Sequence, residues 1–491
     1  MENNELIQPE PGPNRQRWAI LRIVVLLTFM STLDSSIVNI ALPILSANLH
    51  EPISTITWVV TSYLIVISAL MLLFGRLGDI KGNTLIFKYG ILGFTAGSLL
   101  CGVSVSLVML VVSRIIQAVG AAATMATSQG IIMQSFPASE RGRALGFNGT
   151  SVALGSLIGP PLGGFIIAAF NWNFIFLINV PIGIAAFILA ARILPKGTAV
   201  PERLDVKGAV LFGLSAAFLF YAIGSGEGVD FLNPLIVSGI LTGLVLLAAF
   251  IFAERRCTQP LLDLSIFRNV LFSISIVCSF LVFVSLSSIN ILQPFYLQNA
   301  RGLSSLAAGL MMMIYPVILA IAAPLSGYLS DKIGQKIPTL IGLCLSTIGY
   351  VGAAMMTVTT SFALTGFVYA LLGLGNGLFQ SPNTSLIMSS VPKNKLGVAG
   401  SINALVRNLG FIFGVLLATT VLFSSMSALY GGRVNDYVPG RPDLFIHGMR
   451  NAYLAVAGTC FAGMLITATR LFSRKTSNKE NPGAGCETVR D

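Results

Sequence analysis

Apolar stretches about twenty residues long follow one another along almost the whole of this 491-residue chain. A stretch of that length is what an α-helix needs to cross ~30 Å of hydrocarbon. Fourteen can be marked, at roughly 20–43, 54–75, 85–106, 107–132, 144–168, 173–194, 207–225, 233–253, 270–296, 306–328, 338–358, 361–390, 397–425 and 448–472. Inside a bilayer every backbone N–H and C=O must be satisfied by the spanning element itself, which leaves only helices and closed strand barrels. A barrel would show ~10-residue alternating segments, and none is visible. With 54% hydrophobic and 10% charged residues and a mean hydropathy of +0.83, the chain is expected to be an all-α polytopic membrane protein with fourteen transmembrane helices.

An even number of spans puts both termini on one side, and the basic residues say which. Lys and Arg close to span ends accumulate in the cytoplasm. Of the 30 Lys and Arg, 24 fall in the two termini and the even-numbered connections, four fall opposite (Arg301, Arg433, Arg441 and Arg450), and Arg114 and Arg407 lie within spans. The net charge of +11 is thereby accounted for by topology, with cytoplasmic termini in a cell membrane, and nucleic acid is not expected as a partner. The first run exceeds a signal-peptide core and lacks a small-residue cleavage pattern, so it is read as a retained span. Cys101, Cys278, Cys344 and Cys460 fall in spans and Cys257 and Cys486 in cytoplasmic segments, where they read as small packing residues and not as disulfide partners.

The chain repeats itself. GRLGDIKG, with Gly75, Asp79 and Gly82, returns as GYLSDKIG, with Gly327, Asp331 and Gly334, after 252 residues. Asn39 and Pro43 return as Asn290 and Pro294 after 251, and Asn148, Gly155 and Gly159 return as Asn403, Gly410 and Gly414 after 255. These offsets divide the chain into a leader (1–19), a six-helix bundle (20–194), two inserted helices with linkers (195–269), a second six-helix bundle (270–472) and a polar tail (473–491). Parallel repeats about an axis along the membrane normal suit an alternating-access carrier, with its site between the repeats.

Five segments, LDSSIVNIALP (33–43), GRLGDIKG, RIIQAVG from Arg114, GSLIGPPLGG from Gly155 and WNFIFLINVPIG from Trp172, occur in this order on the expected spans. In them the chain resembles the fourteen-helix drug:proton antiporter branch of the major facilitator superfamily, over essentially its whole length. The first loop departs from the family pattern: Asp79 is followed by Ile80, Lys81, Gly82, Asn83 and Thr84, so three usual basic positions are missing. The second copy, Asp331 through Lys336, keeps more of them.

Asp34 is the one carboxylate well inside a span, where an ionisable group is expensive and points to function. Arg114 enters about 10 Å from the outer end of span 4 at 1.5 Å per residue, so the two can meet at similar depth. Burial favours the protonated acid and a neighbouring guanidinium the ionised one. The resemblance implies that this pair handles protons and substrate; an inert ion pair locking spans 1 and 4 is the alternative. Gly155, Gly159, Gly163 and Gly164 around Pro160 and Pro161 read as a close-packing, flexing helix interface, which the resemblance associates with proton-exchanging exporters. Asp79 and Asp331 read either as caps where a short loop starts the next helix or, through the resemblance, as cytoplasmic gate latches together with Gly75, Gly82, Gly327 and Gly334.

Asn376, Gln380 and Asn383 form a polar stripe at i, i+4 and i+7 in span 12. Together with Arg407, Asn290 and Gln293, and with Trp58 and Tyr63 in span 2, they make a candidate amphipathic pocket, although each is also good interhelical glue. No cluster of His, Cys and acids suggests a metal, and no phosphate-cradling loop suggests ATP, so neither enzyme activity nor a cofactor is expected beyond a proton gradient. The expected function is proton-coupled export of lipophilic or amphipathic small molecules, with no obligate protein partner. An exporter of an endogenous metabolite, lipid or peptide is the alternative, its cargo anionic if Arg407 holds it, and a non-transporting sensor is a third.

Overall fold

The computed structural model describes residues 14–137, 140–195, 205–225, 233–257, 264–392 and 396–472. The leader ahead of residue 14 and the tail from 473 fall outside the described residues. Among those described the chain is helical throughout, without strands. The first bundle comprises α1 (Asn14–Leu49), α2 (Ile53–Ile56) with α3 (Trp58–Lys81), α4 (Asn83–Gly102), α5 (Leu107–Ser135), α6 (Arg141–Ala169) and α7 (Phe174–Leu177) with α8 (Asn179–Ile193). Then come α9 (Val206–Ser225) and α10 (Pro234–Arg256). The second bundle is α11 (Val270–Phe295), α12 (Ser305–Met312) with α13 (Ile314–Ile333), α14 (Lys336–Ala354), α15 (Phe362–Ser389), α16 (Leu396–Tyr430) and α17 (Pro442–Phe472). Thirteen helices among the described residues are long and apolar enough to cross a membrane, and Val206–Ala222 of α9 is a shorter apolar one. The expected fourteen spans correspond to these.

Each bundle packs its helices in the same pairs. α1 lies on α6 as α11 lies on α16, α4 on α5 as α14 on α15, and α4 on α8 as α14 on α17. The repeat reaches individual hydrogen bonds: Thr28 Oγ1 donates to Asn148 Oδ1 at 2.8 Å, and Ser279 Oγ, 251 residues on, donates to Asn403 Oδ1 at 3.1 Å. Glycines repeat with them. A Cβ on Gly159 would collide with Ser36 of α1, and one on Gly414 with Ser287 of α11.

The side bearing Asn14 and Phe472, the first and last described residues, is called inner here, and the opposite side outer. On the outer side one apolar core runs through both bundles, from Leu33–Leu45 of α1 through Phe283–Leu297 to Leu444–Cys460 of α17. Towards the inner side the bundles keep separate cores, one around Ile23, Phe87 and Ile132 and another around Phe272, Ile387 and Ile402. Outer contacts between bundles are polar as well: Ile53 N donates to Asp436 Oδ1 (3.3 Å), and Gln298 Nε2 to Ile40 O (3.0 Å). The inserted α9 covers the seam where α3 meets α16, through Phe220 against Ile65 and Ile412 and Phe212 against Leu72 and Leu405. α10 packs on α9.

Candidate functional site

Midway along α1, Asp34 is only 1% exposed, and Arg114 of α5 is equally buried. Arg114 Nη1 lies 2.6 Å from Asp34 Oδ2. The other carboxylate oxygen, Oδ1, accepts from Gln117 Nε2 at 2.9 Å and from Asn179 Nδ2 of α8 at 2.8 Å. Helices from across the first bundle thus converge on one acid. Arg114 makes further contacts: Nη1 also donates to Gln117 Oε1 (2.6 Å), Nε donates to Val59 O (3.1 Å), and Cζ sits 3.9 Å from the centre of the Tyr63 ring. Gln117 Nε2 further donates to Ser98 Oγ at 2.8 Å. Bringing a carboxylate out of water costs several kcal/mol, recovered only if charge and hydrogen bonds are both supplied. Here Arg114 supplies the charge, and Gln117 and Asn179 supply the hydrogen bonds.

Gln117, Asn179 and Ser98 were not among the candidates from sequence. Gln117 had a visible signal: it lies three residues beyond Arg114, hence on the same helix face. Asn179 Oδ1 remains buried without a hydrogen-bond partner.

The remaining candidates separate into groups. Tyr63 belongs to the Asp34 site, beneath the guanidinium. Trp58 instead packs towards the inserted helix, its ring 5.9 Å from that of Tyr221. Gln293 is taken up by two tyrosines, donating to Tyr453 Oη at 2.6 Å and accepting from Tyr369. Asn376 donates to Leu372 O (3.0 Å) in its own helix, and Asn383 donates to Ser275 O of α11 (3.1 Å). Asn290, Gln380 and Arg407 are different. All three keep partial exposure, and none has a hydrogen-bond or ion-pair partner among the described residues.

Asp79 and Asp331 occupy the last turns of α3 and α13. This corrects the capping expectation, since neither acid begins the following helix. The turns are made by Gly82 (φ 96°) and Gly334 (φ 82°), in backbone regions that suit glycine. Gly75 has open space around its Cα, and Gly327 approaches Ser381. In α6, Gly155, Gly159 and Gly163 let α1 approach, whereas Gly164 faces Ser305 and Pro160 faces Gly309, both of the second bundle. Pro161 adjoins that same contact.

Two parallel helical bundles with a charged network inside the first define a membrane carrier of the two-bundle kind. The sequence profile of the Major Facilitator Superfamily matches residues 24–415, and the chain belongs to that family of transporters. It is 37% identical to the riboflavin transporter RibZ of Clostridioides difficile (strain 630), over 94% of this chain and 99% of the relative. It is 30% identical to the multidrug resistance protein Stp of Mycobacterium tuberculosis (strain ATCC 25618 / H37Rv), over 87% of this chain and 80% of the relative. A bacterial homologue of the human lysosomal transporter Spinster, solved in an inward-facing and unoccupied conformation, shares the fold, with a TM-score of 0.66 at 16% identity, covering 95% of this chain and 100% of that one.

Proposed function

We propose that this transporter exports lipophilic or amphipathic small molecules across the cytoplasmic membrane by alternating access, in exchange for protons that load on Asp34. One observation carries the reading: a carboxylate in the hydrophobic interior that accepts from Arg114, Gln117 and Asn179. Such an arrangement changes its preference for a proton when the helices supplying the donors shift. Arg114 and Gln117 on α5 and Asn179 on α8 move relative to α1 in any rearrangement of the bundle, so proton release and helix position are linked. One proton entering down 100 mV supplies ~2.3 kcal/mol. Both termini lie in the cytoplasm in this reading, and Asp79 and Asp331 act at the inner gates.

Stp, a relative named for multidrug resistance, supports drug-like cargo. RibZ favours a second reading, in which the cargo is a metabolite such as riboflavin. Both are tested with purified protein in liposomes under an imposed pH gradient, using cationic, neutral and anionic amphiphiles and riboflavin. Wild type is expected to accumulate at least one class against its gradient, and Asp34→Asn to lose that accumulation while still allowing downhill movement. Undiminished proton-dependent accumulation by Asp34→Asn would sink the coupling role.

A further inference from the structure

We infer that Arg407, with Gln380 beside it in depth, forms a second-bundle site for the anionic group of an amphipathic substrate. Arg407 lies about eleven residues into α16 from its inner end and Gln380 about nine residues from the inner end of α15, which at 1.5 Å per residue is ~17 Å and ~14 Å deep. Their directions follow from their neighbours. On α16, Asn403, Gly410 and Gly414 face α11, Leu405 and Asn408 face the α3 side, and Gly400 faces Gln129 of the other bundle. At 100° per residue, Arg407 falls between the α11 strip and the strip of Gly400, and so points between the bundles. On α15, Gln380 falls between Gly373 and Gly377, which meet α13, and Asn383, which meets α11. It too faces inward.

A cation at this depth demands compensation, and none of the described side chains supplies it. Asp34 is committed to Arg114, and the described acids of the second bundle are Asp331 at an inner helix end and Asp436 and Asp443 near the outer side. Arg407 nonetheless keeps accessible surface while surrounded by protein, as a side chain does when it lines an internal opening. Guanidinium presents a fork of donors matched to carboxylate, sulfonate or phosphate, and Gln380 adds an amide. Phe411, one turn further out on the same face and 5.5 Å from Phe283, offers an apolar wall for the rest of the molecule. The site therefore selects an apolar body with one anionic head, which narrows the cargo of the proposed exporter and rests on that reading.

The test uses the full-length protein in phosphatidylcholine nanodiscs and the matched probes naphthalene-2-sulfonate and naphthalene-2-sulfonamide, with binding measured calorimetrically and without a pH gradient. Wild type is expected to bind the sulfonate at least tenfold tighter. Arg407→Gln should reduce the ratio to about one, Arg407→Lys should retain most of it, and Gln380→Leu should lower it severalfold. A wild type that binds neither probe or does not discriminate, or an Arg407→Gln protein that keeps the preference, overturns the inference. Should Arg407→Gln fail to fold, the Lys and Gln380→Leu variants decide: an unchanged ratio in Gln380→Leu with a lost one in Arg407→Lys removes the amide from the site, and unchanged ratios in both overturn it. Adding phosphatidylglycerol separates the sources of the anion, since displacement of the sulfonate assigns the site to a lipid head and no displacement to a soluble amphiphile. Because no proton gradient is present, failure of the coupling role leaves this result standing, and the reverse holds as well.

Discussion

Asp34 and Arg114 hold each other in a place where either one alone would be costly. Removing one member of a buried pair leaves an unpaired charge, at a cost of about 3–5 kcal/mol. Asp34→Asn also sets an amide donor against the amide donors of Gln117 and Asn179, which the carboxylate accepts. The expected outcome is that Asp34→Asn and Arg114→Gln each lower the thermal melting point in detergent, and that the double variant melts higher than the sum of the two losses predicts, with a coupling of ~1–3 kcal/mol. Strict additivity would show that the pair does not act as one unit. Sequence alone pointed to both residues, because charges in apolar runs stand out. It did not separate Gln117 and Asn179 from other polar residues in spans: an uncharged amide inside a helix looks the same whether it meets a carboxylate or a backbone carbonyl.

Helix ends and helix faces repeat the same division. Gly82 and Gly75 share one motif but carry different constraints: the first sits at φ 96°, and the second has nothing within 4 Å of the position a Cβ would take. Gly82→Ala is expected to destabilise the fold by about 1–2 kcal/mol, with Gly75→Ala close to neutral, both read from melting points. Equal losses would argue against the turn as the reason for Gly82. The α6 glycine run was recognisable as a packing face from its spacing. That it divides its contacts, with Gly155, Gly159 and Gly163 on α1 and Gly164 on α12, follows only from where the second bundle docks. The stripe of Asn376, Gln380 and Asn383 is a similar case. Periodicity placed all three on one face; Asn376 turns back to its own helix, Asn383 meets α11, and Gln380 is left open.

Across the whole molecule, one core is continuous between the bundles on the outer side, whereas the cores around Ile23 and around Phe272 are separate, so the bundles close against each other most extensively on the outer side. Gly164 and Ser305 mark that closed contact. In a protein with its native cysteines replaced, the pair Gly164→Cys and Ser305→Cys is expected to oxidise readily and to stop transport until reduced. Unimpaired transport by the cross-linked protein would show that the outer contact need not open. The bundles match in backbone and differ in chemistry: at the repeat offsets, Asp34, Tyr63 and Ser98 correspond to Ser285, Tyr315 and Tyr350, so the charged network of the first bundle has a serine and tyrosine counterpart in the second.

From sequence alone came the helices, their number, the repeat and the charged residues in the spans, because each follows from local periodicity and from the cost of placing polar groups in hydrocarbon. Which charges find partners was decided by tertiary structure. Arg114 and Arg407 are alike as letters in apolar runs, and only the packing of α1, α5 and α8 around one carboxylate makes the first a satisfied ion pair and leaves the second facing the space between the bundles.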